Sequence, residues 1–300
     1  MVRWVALVLA VLTGVVAIFS IWANDQLLDT GGWVGVSGRL LENQQVRHRV
    51  ATFLGEELVS ETEAQLDAAG QEAVAAEVVP RLRAEGTELA ERVMKTRRFH
   101  IVWEKANHSG QRALLRVLDE EGEGPVVVDL TPALRQIAAE LEEEGLAEEL
   151  GVSELGSLVE PGAARIKVLE ARELSAAQDA VRVVRHLTVP AVIATLALYL
   201  FALFLGRRRL ARAFLGIGLA LVATGVLALL ARALSGHEIV DQLLVEGADR
   251  DAANAAWKVA TSKISDLAGW AIGIGVIVVL LVGAFAAARR WRGWPAEGPA

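Results

Sequence analysis

Residues 4–23 read WVALVLAVLTGVVAIFSIWA, twenty positions without one Asp, Glu, Lys, Arg or His. At about 1.5 Å per residue, a helix of that length matches the ~30 Å hydrocarbon core of a bilayer. Three further stretches share the property: Leu187 to Gly206, Ala213 to Ala231 and Leu267 to Ala288. These four runs concentrate the apolar excess of a 300-residue chain that is 53% hydrophobic, with mean hydropathy +0.39. The pattern predicts four transmembrane helices. The first is too long for the ~7–15-residue core of a secretory signal. Ile21-Trp22-Ala23 also lacks the small-x-small pattern of a cleavage site, so the run reads as an uncleaved signal anchor.

Orientation follows from the arginines, because cationic flanks are retained in the cytoplasm. Arg3, then Arg207, Arg208, Arg209 and Arg212, then Arg289, Arg290 and Arg292 lie in three short segments. With four spans, all three segments fall on one side. The expected organisation is a signal-anchor helix at 1–23 and an extracytoplasmic domain at 24–186. Three transmembrane helices follow at 187–289, with an extracytoplasmic loop at 235–266, and then a cytoplasmic tail at 290–300. The expected location is the plasma membrane, multi-pass, with both termini cytoplasmic.

Residues 24–185 hold 30 Asp and Glu against 18 Lys and Arg, net −12, and the rest of the chain holds 7 against 12, net +5. An acidic exterior disfavours nucleic acid as a partner, since phosphate binding needs clustered cations. There are no cysteines, which excludes disulfides, thiolate catalysis and cysteine-ligated metals.

The outer domain has mainly helical periodicity. The stretch after the first span is expected to break at Gly31-Gly32. Val46, Val50, Phe53 and Leu54 then recur at helical spacing, with Asn43 available as N-cap. A second helix runs from about Glu72 to Thr96, and Pro80 inside it is expected to kink or divide it. Val126 to Leu130 and Ala164 to Ala171 read as short strands able to pair. Thr131-Pro132 reads as a helix start. The fold class is thus a mainly α membrane protein, with four transmembrane helices and a helical (α+β) outer domain carrying a small two-stranded sheet.

The strongest amphipathic stretch contains the candidate chemistry. In FHIVWEKANHSGQ, residues 99–111, Phe99, Val102, Trp103, Ala106 and Gly110 begin an apolar stripe continued by Ala113, Leu114 and Val117. His100, Glu104 and His108 are spaced four apart. The two histidines are eight apart, so on a helix their backbones are separated by ~12 Å and turned by ~80°. One zinc with ~2.0–2.1 Å bonds cannot readily take both. Trp103 reads as a core anchor and Asn107 as a polar edge able to cap backbone groups. His100, Glu104 and His108 read as a wet or partner-facing surface. These five residues are weak binding candidates. No catalytic residue, metal or cofactor is expected.

Other motifs carry less. Gly35-Val36-Ser37-Gly38 misses the GxSxG nucleophile elbow by one residue. Asp119 to Gly124, DEEGEG, lacks the ligand register of a calcium loop. Gly269 and Gly273 form a GxxxG at one end of the last span that allows close helix packing, within the bundle or between copies, with packing inside the bundle the expected use. The spans contain no charged group that would mark an ion path.

The order of LLDTGGWVGVSGRLLENQQVRHRVATFL (27–54), FHIVWEKANHSGQRALLRVL (99–118) and VVVDLTPALRQI (126–137), set between one span and three more, resembles a group of uncharacterised actinobacterial integral membrane proteins. Members often carry a histidine eight positions after the tryptophan, where this chain has Gln111. The resemblance implies location and architecture only. The expected function is a non-enzymatic cell-envelope protein, accessory or scaffold, whose outer domain binds a protein, lipid or envelope component. Its partners would be the bilayer and an envelope protein or lipid, and the chain is compatible with a homo-oligomer. The alternatives are a small transporter or channel component and, third, a zinc-dependent envelope hydrolase.

Overall fold

The computed structural model describes residues 1–119, 126–129, 131–132, 135, 139, 162, 165–169, 171–207, 210–243 and 250–292. The DEEGEG turn after Asp119 and most of the helix expected after Thr131-Pro132 lie outside the described residues. Four helical stretches are long and apolar enough to cross a membrane: Val2–Leu28, Ala177–Leu205, Leu210–Glu238 and Ser262–Ala288. On that length and composition the chain is a membrane protein. It divides into two units. One comprises Met1–Asn24, Arg182–Asp241 and Thr261–Ala300, and the other comprises Asp25–Val181 and Gln242–Ala260.

The first, apolar unit is built from α1 (Val2–Ala23), most of α6 (Ala171–Leu205), α7 (Leu210–Leu243) and α9 (Ser262–Arg292). Small residues set its packing. Ala6, Leu7, Ala202 and Ala220 form one buried cluster, and Ile18, Ala228, Ile264 and Ala268 form another. A Cβ on Gly275 would stand 2.6 Å from the carbonyl oxygen of Gly218, and one on Gly225 would stand 2.6 Å from that of Ala268. Backbone therefore meets backbone between α7 and α9, as small residues permit in membrane bundles.

The expected packing of Gly269 and Gly273 within the bundle is corrected: among the described residues nothing lies within 4 Å of a Cβ at either position. Gly275 is two residues past Gly273, about 200° around the helix, and presents the opposite side. Hydroxyls add polar links. Thr195 Oγ1 lies 3.0 Å from Thr13 Oγ1 and 2.7 Å from the carbonyl oxygen of Ala191, and the Thr224 hydroxyl donates to Ala220. These groups find acceptors on the preceding helical turn, so none is left unsatisfied in an apolar setting.

The second unit holds α2 (Thr30–Glu42), α3 (Gln44–Ala68), α4 (Glu72–Met94), α5 (Arg97–Asp119), strands β1 (Val126–Asp129) and β2 (Arg165–Leu169), and α8 (Arg250–Ala260). A π-helical turn, Asn24–Leu28, precedes α2. Gly31-Gly32 does not break the helix as expected. The glycines occupy the first turn of α2, where the Asp29 carboxylate accepts from the Gly32 N–H at 2.8 Å. Glycine is required at position 32, because a Cβ there would fall 1.6 Å from the Asp25 carbonyl oxygen. The glycine pair thus allows α2 to start hard against the π turn.

Asn43 caps α3, its Oδ1 accepting from the backbone N–H groups of Gln45 and Val46. Such a cap satisfies donors that have no partner within the helix and contributes about 1 kcal/mol. Arg47 Nη1 closes the joint from the other side, donating to the last carbonyls of α2, Leu41 and Glu42. At its far end α3 stops in a Schellman turn. Gln71 N–H bonds the Leu66 carbonyl, Gly70 N–H bonds that of Asp67, and Gly70 takes φ +68°.

The chain then enters α4, which Pro80 does not divide. Pro80 and Ala76, whose carbonyl loses its N–H partner, both face solvent. Val78, Val79 and Leu82 on the other side hold the helix by burial. Water can serve the freed carbonyl, so packing outweighs the missing bond.

The core lies mainly between α3 and α4. Leu54, Leu58, Leu82 and Met94 are fully buried there, joined by Phe99 from α5. Each such side chain contributes roughly 1.5–3 kcal/mol by leaving water. Gly55 lets the two helices touch, since a Cβ there would sit 3.2 Å from backbone atoms of Gly86 and Thr87. Helix α5 lies against α2, and α8 lies against α2 and α3 with Ala252 and Ala255 buried. β1 packs on α5 and pairs antiparallel with β2, Val127 opposite Lys167 and Asp129 opposite Arg165.

Candidate functional site

Helix α5 places the five candidate residues in two classes. Phe99 is fully buried, and Trp103 stacks on it with ring centroids 6.2 Å apart. The Trp103 indole N–H donates to the Ser37 carbonyl at 3.1 Å, and the Asn107 amide donates to the Trp103 carbonyl at 2.9 Å. Trp103 and Asn107 therefore hold α5 against α2 and order its edge. His100 and Glu104 are exposed and His108 is half-buried. Among the described residues, no three His, Asp or Glu side chains converge as metal ligands. His48 instead pairs with Glu91 at 2.5 Å, linking α3 to α4.

Among the described residues of the expected stripe, Phe99 alone is fully buried. Val102, Ala106, Gly110 and Leu114 are half-buried, and the Ala113 and Val117 side chains lie outside the description. The residue buried one turn beyond Asn107 is polar: Gln111, 2% exposed, whose Nε2 donates to the Leu27 carbonyl of the π turn at 3.1 Å. Hydropathy could not single out Gln111. The available signal was spacing, since Trp103, Asn107 and Gln111 recur every four residues along the flank of the apolar stripe.

Ser37 gives no support to a nucleophile elbow. It is buried in the middle of α2, and its hydroxyl donates to the Val34 carbonyl. Around the start of α2, the Gln26 and Gln111 Oε1 atoms and the Trp33 indole N–H are buried without a hydrogen-bond partner among the described residues. Buried polar atoms of this kind are ordinarily served by ordered water.

A cleft with mixed chemistry lies elsewhere, on the α3–α4 pair. It measures about 340 Å³ and is lined by Gly55, Glu56, Val59, Ser60, Glu63, Leu82, Arg83 and Thr87. Val59 and Leu82 provide an apolar floor. Arg83 reaches Glu63 at 3.3 Å across the opening, and both are well exposed, so solvent screens that pair and it contributes little to stability. It can exchange partners at small cost. The sequence did not mark this cleft, because it depends on Gly55 bringing two helices together.

Comparison of the chain with known protein families, with curated proteins and with solved structures finds no match.

Proposed function

We propose that the chain is a non-enzymatic integral membrane protein of the cell envelope, of the actinobacterial kind its motifs resemble. In this reading residues 24–186 face outward and bind a protein, lipid or envelope component in an accessory or scaffold role. The supporting observation is the α3–α4 cleft, which combines an apolar floor, two hydroxyls, and acidic and basic groups in a recognition surface of ligand-site size. The five α5 residues take a different part. Trp103 and Asn107 secure the domain that presents the cleft, whereas on α5 His100 and Glu104 are exposed and His108 is half-buried.

The test is photo-crosslinking in intact membranes, with the reactive group placed at Ser60 or Thr87 in the cleft and, as controls, at Glu72 or Glu88 on α4. A discrete adduct from both cleft positions and neither control supports the reading. Equal labelling at all four, or none at any, refutes it. Orientation is tested independently. Since the chain has no cysteine, Glu72→Cys should react with an impermeant maleimide in whole cells and Ala296→Cys should not. The reverse would invert the topology.

A further inference from the structure

Arg232 is the first charged residue after the apolar run Ala213 to Ala231. Nineteen helical residues span about 28 Å, so Arg232 comes where hydrocarbon gives way to headgroups. One turn earlier on α7, Ala228 is fully buried with Ile18, Ile264 and Ala268, and Trp22 packs on that cluster. Arg232 thus stands directly above a closed apolar core, half-buried itself.

Its side chain is held in place. Nε donates at 2.7 Å to the hydroxyl of Thr261, which is fully buried immediately before α9. A guanidinium has five N–H donors, and this contact uses one. The four on Nη1 and Nη2 take no partner among the described residues, and no described carboxylate pairs with the charge. A cation partly withdrawn from water calls for a counter-charge. An arginine meant only to reach free solvent needs no fixed Nε, whereas fixing Nε orients the terminal fork.

We propose that Arg232, gripped by Thr261, binds the phosphate of an anionic phospholipid. The two non-bridging oxygens of a phosphodiester match the Nη1/Nη2 fork, at the depth where lipid phosphates lie. A lipid with net negative charge also neutralises the arginine. A zwitterionic lipid brings its own cation to the same phosphate and binds more weakly.

The experiment is native mass spectrometry of the full-length protein, titrated separately with phosphatidylglycerol, phosphatidylcholine and inorganic phosphate. The wild type should retain one phosphatidylglycerol in preference to phosphatidylcholine. Arg232→Gln should lower the apparent affinity by about tenfold or more, the scale of a lost charged hydrogen bond. Arg232→Lys keeps the charge without the fork, and Thr261→Val keeps the arginine without its grip. Both should bind more weakly than wild type, which separates a built site from simple charge attraction. Undiminished lipid binding in Arg232→Gln and Thr261→Val would overturn the proposal. Displacement of the lipid by equimolar inorganic phosphate would also overturn it, in favour of a free-anion site.

Discussion

The same substitution, glycine to alanine, should have different effects at three positions of the second unit. In a helix interior, alanine is favoured over glycine by about 0.5–1 kcal/mol, because it narrows the unfolded ensemble. At Gly38 of α2 none of the described residues lies within 4 Å of the added methyl, so Gly38→Ala should realise that gain. At Gly86 the methyl would meet Gly55 at 3.9 Å, an ordinary contact, so Gly86→Ala should be neutral or stabilising. At Gly55 it would meet the Gly86 carbonyl carbon and the Thr87 nitrogen, both at 3.2 Å. These are backbone atoms that cannot rotate aside, so α3 and α4 must separate, at about 1–3 kcal/mol for overpacking. Gly55→Ala should therefore lie about 1–3 kcal/mol below Gly38→Ala. The readout is hydrogen exchange of α3 and α4 amides in the full-length protein, which isolates local opening from the membrane unit. At tenfold per 1.4 kcal/mol, the Gly55 variant should exchange roughly 5- to 140-fold faster than the Gly38 variant. Equal protection in the two would mean that α3 and α4 do not cross with their backbones in contact, and the cleft geometry would fall with that crossing.

Three further outcomes follow from named contacts. Asn43→Ala should destabilise the start of α3 by about 1 kcal/mol, with Asn43→Asp restoring it; exchange of the Gln45 and Val46 amides reads this directly. Gln111→Met should cost less than Gln111→Ala in denaturant titrations. Methionine removes a buried unpartnered oxygen along with the bond to Leu27, whereas alanine also leaves a cavity, and equal costs would refute this. In the apolar unit, Gly275→Leu should lower the melting temperature in detergent while Gly269→Leu leaves it within error, because only Gly275 faces backbone across the helix pair.

The five α5 candidates show how far local pattern reached. Their assignment to a helix, the spacing that separates the two histidines, and the anchoring place of Trp103 all follow from the 3.6-residue period. What that period could not supply was the partner of each group. The Trp103 indole binds a carbonyl 66 positions earlier, and the Gln111 amide one 84 positions earlier. Such pairings leave no trace in neighbouring residues.

The four apolar helices, the exclusion of thiol chemistry and the cap at Asn43 were legible in the chain alone, because each depends on residues within a turn or one run. Which glycines matter was a choice made by tertiary packing. Gly55 and Gly275 lie where two backbones meet, whereas the better-looking motif at Gly269 and Gly273 meets none of the described residues. It alone also decided that Pro80 is tolerated, that Val59 and Leu82 line a cleft, and that Thr261 holds Arg232. Close approach depends on the side of each helix turned toward its neighbour. That choice is made by the packing of the whole unit.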